Sequence, residues 1–232
     1  MSKKVAIVTG ASSGIGRACV EQLSEKGFAL ALIGRREAPL IDVGEAISGD
    51  SLVVAADVGS PSSAGVIVRT VMKEFGRIDA LVNNAGYAPL TEIEETTAEE
   101  LERVYEVNTL GAGRLILEVW PVMKRQGAGV IVNVSSMATL DPFPGFFAYA
   151  GAKAGVELMA RSCANEGAEH GIAAYAVAPG AVETPMLRNI VDEEMVPADK
   201  TLAPEEVASV IVGCVMGERP EASGATIRIA NR

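Results

Sequence analysis

The sequence predicts an α/β fold built on a doubly wound parallel sheet. Two patterns along the chain carry that expectation. Seven short apolar runs, at 5–8, 28–33, 52–56, 78–82, 130–134, 172–177 and 225–230, have the length of strands. Longer stretches with helical spacing separate them. Near-continuous apolar strands alternating with helices indicate right-handed βαβ units, whose sheet is covered on both faces.

Each element follows in order. A Gly-rich turn leaves the first strand, and a helical pattern runs to about Lys26, with Gly27 as its C-cap. A short helix is expected at 37–48, and another at 60–75 closing on Gly76. Thr97 and Glu100 have the spacing of a capping box, from which one long helix is expected to run to about Lys124. A helix over 148–169 ends at His170-Gly171, and a last helix begins after Pro204. The stretch 186–204 reads as irregular. No internal repeat, low-complexity tract or linker interrupts the chain, so residues 1–232 are expected to form one domain.

Composition narrows the function classes. With 49% hydrophobic residues, a chain of 232 can bury one substantial core and is not disordered. Its 20 Lys+Arg against 30 Asp+Glu leave a net charge of −10, which argues against nucleic-acid and membrane-surface partners. Cys19, Cys163 and Cys214 are far apart and form no CxxC pair, so reduced thiols are expected rather than disulfides or zinc. The basic opening Met1-Ser2-Lys3-Lys4 precedes too short an apolar run for a signal peptide. No run approaches the roughly 18 apolar residues of a membrane span. A cytoplasmic location is expected.

Thr9-Gly10-Ala11-Ser12-Ser13-Gly14-Ile15-Gly16 leaves the first strand and opens the first helix. Glycines there let the backbone approach a pyrophosphate, which free N–H groups at the helix start would hold. The spacing is GxxxGxG rather than GxGxxG; alone it is also the pattern of a tight connection. The second strand ends at Ile33-Gly34-Arg35-Arg36. A carboxylate at this point holds a ribose 2′-OH, and an arginine accommodates a 2′-phosphate. Glycine at 34 and Arg35 therefore favour NADP(H) over NAD(H); the bland alternative is a pair of arginines solvating a loop. Asp57-Val58 lies at another strand end, where Asp57 can accept from an adenine amino group or cap the helix near Ser60. Asn83-Asn84-Ala85-Gly86 closes the fourth strand with residues small enough for a cofactor to pass, and equally suits a turn.

Tyr149 and Lys153 share one face of a helix. A phenol, with its reference pKa of about 10, is a poor base at neutral pH, and a nearby ammonium favours the phenolate. The pair suits proton transfer in alcohol–ketone interconversion, although YxxxK is also an ordinary helix face. Ser135-Ser136, at the end of the fifth strand, can donate to a carbonyl oxygen. Asn108 sits inside the long helix, where it either faces solvent or serves a buried polar function through a local break.

In order along the chain stand Thr9-Gly10-x3-Gly14-x-Gly16, Asn83-Asn84-Ala85-Gly86, Asn108, Ser136, Tyr149-x3-Lys153 and Pro179-Gly180. Together they resemble the short-chain dehydrogenase/reductase family across nearly the whole chain. The resemblance implies an NAD(P)(H)-dependent oxidoreductase on a single-domain Rossmann fold of seven parallel strands, and a homodimer or homotetramer. It implies that Tyr149 is the acid/base and that Ser136 orients the substrate. Lys153 would bind the nicotinamide ribose and lower the Tyr149 pKa, while Asn108 would hold a water linking Lys153 to solvent. Gly10, Ser12, Ser13, Gly14, Ile15, Gly16, Asn84, Ala85 and Gly86 would line the dinucleotide. Pro179, Gly180, Val182 and Thr184 would meet its nicotinamide end. Two departures stand out. Gly171-Ile172-Ala173-Ala174-Tyr175 replaces the family's Gly-Ile-Arg-Val-Asn, and Ala230-Asn231-Arg232 stands where a Gly-Gly tail is usual.

The expected substrate is a small carbonyl compound or alcohol. A rival is a 3-oxoacyl-(acyl-carrier-protein) reductase, whose acidic carrier needs a basic docking patch. The net charge of −10 and Glu169-His170 argue against it, and Lys124-Arg125 keeps it open. A non-catalytic dinucleotide-binding regulator would be expected to lack one of Asn108, Ser136, Tyr149 or Lys153, and all four are present. The acidic run from Glu92 to Glu102 reads as a solvated face, and with one histidine, His170, no metal site is expected. Phe143, Phe146 and Phe147 can line an apolar pocket or a subunit contact.

Overall fold

The computed structural model describes residues 3–231. Its strands are β1 (Val5–Thr9), β2 (Ala29–Gly34), β3 (Ser51–Ala55), β4 (Ala80–Asn83), β5 (Gly129–Val134), β6 (Ile172–Pro179) and β7 (Thr226–Ile229). All pair in parallel, in the order β3-β2-β1-β4-β5-β6-β7. The order reverses between β1 and β4, which opens a crevice at the C-terminal strand ends there. The helices are α1 (Gly14–Glu25), α2 (Glu37–Ala46), α3 (Ser63–Phe75), α4 (Ala98–Tyr105), α5 (Gly111–Gln126), α6 (Phe147–Gly167), α7 (Pro185–Arg188) and α8 (Pro204–Met216). The expected doubly wound Rossmann-type sheet is present.

Strand periodicity divides the core into two layers. Ala6 and Val8 of β1 face one side, with Leu23 of α1, Leu40 of α2 and Ile211 of α8. Val5 and Ile7 face the other, with Ile67 of α3, Leu115 of α5 and Ala164 of α6. Successive side chains on a strand point to opposite faces, so strands buried on both sides must be apolar throughout. One polar exception ties the sheet centre together. Asn83 Nδ2 donates to Asn133 Oδ1 at 3.0 Å, and Asn133 Nδ2 donates to Val156 O of α6 at 3.0 Å.

The long helix expected from Thr97 to Lys124 is three pieces. Between α4 and α5 the chain makes a π turn over Glu106–Leu110. The reason is local: the buried Asn108 amide donates to Val104 O at 2.9 Å, competing for the carbonyl that an α-helical N–H would use. The ladder slips by one, and Gly111 N–H reaches Glu106 O instead. Of the capping box only one half forms, with Thr97 Oγ1 accepting from Glu100 N–H at 3.1 Å. α3 starts at Ser63 rather than 60, because Ser60 N–H first closes a turn onto Asp57 O. The irregular stretch contains α7 and a 3₁₀ turn over Ala198–Lys200, pinned where Arg188 pairs with Glu183 and donates to Val196 O.

Cys19, Cys163 and Cys214 are free and buried, and burial pushes all three thiols up in pKa. Among the described residues no helix is long and apolar enough to cross a membrane.

Candidate active site

The β1–α1 turn is where backbone comes closest to backbone. Gly10 has φ +66, a conformation that L side chains rarely adopt. A Cβ at Gly16 would lie 2.2 Å from Gly10 O and 2.5 Å from Asn84 Nδ2. Asn84 accounts for that crowding: its Nδ2 donates to Thr9 O at 2.9 Å and to Gly10 O at 3.3 Å. Thr9 Oγ1 in turn accepts from the N–H groups of Asn84 (2.9 Å) and Ala85 (3.0 Å). The 83–86 segment is thus buttressed against the glycine turn, and the Asn84 amide is spent on that support.

This turn fits a dinucleotide. Ser12, Ser13 and Ile15 are half-buried around the start of α1. Ser13 is the N-cap but makes no side-chain cap bond, and the first turn of α1 carries no acidic residue. Its N–H groups therefore remain available to an anion. Thr184 lies over them: a Cβ at Gly14 would meet Thr184 Cγ2 at 2.8 Å. Val182 is buried behind it and bridges to Leu202. Pro179 ends β6, and Gly180 is small for a second reason. A Cβ there would run into Asn231, whose amide clasps Ala181 from both sides (2.8 and 2.7 Å) and Lys200 O (3.0 Å). The residue that departs from the usual Gly-Gly tail thus holds the 179–182 loop.

At the rim, Arg35 is exposed and makes no hydrogen bond or ion pair among the described residues. Asp57 does not cap the following helix. Its Oδ1 accepts from Gly59 N–H at 2.9 Å and its Oδ2 pairs with Arg103 at 2.6 Å. Burial raises its pKa, but the Gly59 N–H and the Arg103 and Arg35 charges outweigh that and hold it below the usual range. Val58, beside it, is buried under α5, where Gly111 leaves room for its carbonyl. Arg103 was not legible as a partner, because it lies 46 positions away on α4.

Four polar side chains converge between β4, β5 and α6. Asn108 is buried; its Nδ2 donates to Tyr87 O at 2.7 Å and its Oδ1 accepts from Tyr87 N–H at 3.2 Å. Gly86 makes room for this meeting: a Cβ on it would lie 3.1 Å from Asn108 Oδ1, 3.4 Å from Met186 Cε and 3.7 Å from Lys153 Nζ. Ser136 follows β5 and accepts from Ala138 N–H at 3.2 Å, and its hydroxyl favours the Tyr149 phenolate. Lys153, one helical turn from Tyr149, is buried with Nζ donating to Val134 O at 2.8 Å and 5.7 Å from the Tyr149 ring centre. Phe146 packs on Tyr149 at 5.2 Å between ring centres, while Phe143 is 70% exposed. Among the described residues no group of three or more His, Cys, Asp or Glu can hold a metal ion.

Burial dominates the electrostatics of the Tyr149–Lys153 pair. It pushes the phenol up to about 12, partly opposed by the Ser136 hydroxyl. The ammonium faces a backbone carbonyl, and burial pushes it down to about 8. Lys153 below its ordinary value means that the folded protein releases its proton before the unfolded chain does. Its burial penalty is present in full below pH 8 and is relieved as pH rises from about 8 to 10.5. Over that window wild-type stability is expected to rise relative to Lys153→Met in denaturant titrations. A difference independent of pH contradicts the assignment.

The glycine turn, the parallel sheet and the Ser136–Tyr149–Lys153 group at its C-terminal edge define a class, and comparison with known proteins agrees. The family model for short chain dehydrogenases matches residues 4–195. The chain belongs to that family and is an NAD(P)-dependent oxidoreductase acting between alcohols and ketones. It is 33% identical to a 3-oxoacyl-(acyl-carrier-protein) reductase of Vibrio cholerae, over 97% of this chain and 95% of that one. Its fold superposes on the crystal structure of levodione reductase with a TM-score of 0.91 at 27% identity, covering 99% and 97% of the two chains. A 3-ketoacyl-(acyl-carrier-protein) reductase from Brucella melitensis, solved with NADH, gives 0.90 at 28% identity, covering 98% and 97%.

Proposed function

We propose that residues 1–232 form one catalytic domain, an NADP(H)-dependent reductase of small ketones acting in the cytoplasm. One observation carries the reading: Tyr149 and Lys153 stand together on α6, with Lys153 Nζ 5.7 Å from the phenol ring centre and Ser136 just after β5, at the strand edge that also carries the glycine turn. Gly10, Ser12, Ser13, Gly14, Ile15 and Gly16 would receive the pyrophosphate, Asp57 and Val58 the adenine, and Arg35 the 2′-phosphate. Asn84, Ala85 and Gly86 form the wall between them. Pro179, Gly180, Val182 and Thr184 would flank the nicotinamide, which supplies the hydride when bound.

Tyr149 donates the proton to the carbonyl oxygen. With its pKa held high, it is fully protonated at neutral pH, the form that reduction requires. Ser136 donates to the same oxygen as charge develops there. Lys153 would hold the nicotinamide ribose, and Asn108, bonded to Tyr87 on the 83–87 segment, would hold the water that passes protons to it. Titration with NADPH and NADH, followed by oxidation of NADPH with a panel of ketones, tests the reading. Tight NADPH binding without turnover of any ketone or alcohol would sink it.

The carrier-protein reading has the Vibrio cholerae relative in its favour. The rim argues for the small ketone. Arg188 is held by Glu183, Arg103 by Asp57, and Leu90, Ile93, Phe143 and Met195 stand exposed. Leu101, Tyr105, Leu110 and Phe147, with Glu102 and Glu106 beside them, line a groove on the α4–α6 face, which we read as the contact of a homodimer or homotetramer. Light scattering is expected to give a multiple of the 24.1 kDa chain mass, and a monomer mass removes that reading.

A further inference from the structure

We infer that Glu157 is a positioning residue: one of its carboxylate oxygens straps the turn that carries Ser136 to the helix that carries Tyr149 and Lys153. The inference rests on the role proposed for Ser136. Glu157 lies one turn beyond Lys153 on α6, and its side chain is only 13% exposed. Its Oε1 accepts from Ser135 Oγ at 2.8 Å and from Thr139 Oγ1 at 2.8 Å. Those hydroxyls lie on either side of Ser136 in the chain. Each has one hydrogen and a second, longer option: Lys153 O at 3.3 Å for Ser135, Ser136 O at 3.0 Å for Thr139. The shorter, charged acceptor takes both hydrogens. With Lys153 Nζ holding Val134 O, residues 134, 135 and 139 are all tied to α6. Ser136 itself, in extended backbone, has its hydroxyl held by Ala138 N–H of its own turn.

A carboxylate is an expensive choice at this position. Its nearest cation, Arg228 of β7, stands 3.7 Å from Oε2 and is itself 40% exposed. A largely buried, loosely paired charge contributes little to stability, and an apolar side chain of similar size would often serve as well. What an apolar side chain cannot do is accept two hydroxyl hydrogens at once. The Ser136–Tyr149 distance depends on the spacing between the β5 turn and α6, and this strap sets that spacing. A misplacement of about 1 Å can cost about a hundredfold in rate.

The test compares Glu157→Leu, Glu157→Gln and Ser136→Ala in the full chain, using NADPH and the ketone that the wild type reduces fastest. Glu157→Leu is expected to lower kcat by about ten- to a hundredfold while the Kd for NADPH stays within about twofold. Glu157→Gln keeps an amide oxygen that can accept both hydroxyls, and is expected to recover most of that loss despite losing the charge. A residue that merely stabilises the fold would change cofactor binding and melting temperature together with kcat, and Gln would not separate them. Wild-type kcat in folded Glu157→Leu overturns the inference, as does equal loss in Leu and Gln. Should Glu157→Leu not fold, Ser135→Ala combined with Thr139→Val decides: lost kcat with intact NADPH binding supports the strap, and unchanged kcat overturns it. Undiminished kcat in Ser136→Ala removes the reading of Ser136 beneath it, a failure that the Ser136 variant alone reports.

Discussion

Tyr149→Phe is expected to lower ketone turnover by about 10²–10⁴-fold while leaving the Kd for NADPH within about twofold. The substitution removes one oxygen and little else. The ring keeps its packing against Phe146, and the buried Lys153 keeps its bond to Val134 O. In the proposed mechanism the lost hydroxyl is the proton donor, working beside Ser136. Its loss therefore removes the acid and leaves Ser136 alone to stabilise charge on the carbonyl oxygen. Stopped-flow measurement of NADPH oxidation, beside fluorescence titration of NADPH, separates chemistry from binding. Turnover within tenfold of wild type would show that the proton comes from elsewhere. A parallel loss of NADPH binding would show that the phenol acts on the cofactor instead.

Arg35→Ala is expected to raise the Kd for NADPH by about 10–100-fold and to leave NADH unchanged, as loss of a charge-assisted contact predicts. The geometry permits a clean comparison. Arg35 is exposed at the end of β2 and makes no hydrogen bond or ion pair among the described residues; its loss removes only a through-space charge from Asp57, which Arg103 and the Gly59 N–H still hold. Gly34→Asp should go further, because a carboxylate there repels the 2′-phosphate and accepts from the ribose 2′-OH. The fold leaves room for it: the three atoms nearest a Cβ at Gly34 belong to the Leu40 side chain, at 3.4 to 3.7 Å, and no positive φ constrains it. The double variant is expected to prefer NADH. Equal losses for both nucleotides would reassign Arg35 to a general role, and a wild type preferring NADH would refute the NADP(H) reading outright.

The sheet was legible because burial on both faces forces strands such as 28–33 to be apolar throughout, a pattern that solvent-facing segments do not imitate. Family motifs located Ser136, Tyr149 and Lys153, since each lies in a short segment with its own spacing. The long helix was misread because helical periodicity continues through a π turn. Only the Asn108 side chain marks the slip, and an asparagine in a helix fits solvent exposure as well. Asp57 stayed ambiguous for a related reason. Capping is a local property, whereas its partner Arg103 comes from another element.

By itself, the order of apolar runs and motifs determined the class of fold, the class of enzyme, and the candidate residues that the fold gathers at one edge of the sheet. Tertiary structure decided how those groups are held. It placed Glu157 beneath the Ser136 turn, Asn231 behind Gly180, and Arg103 against Asp57. It also decided that Tyr149 is buried, which pushes its phenol up in pKa. The physical reason is common to all four. A strand or helix pattern is written in contiguous residues, but desolvation and long-range hydrogen bonds depend on which distant side chains the packed fold brings within 3 Å or so of one another.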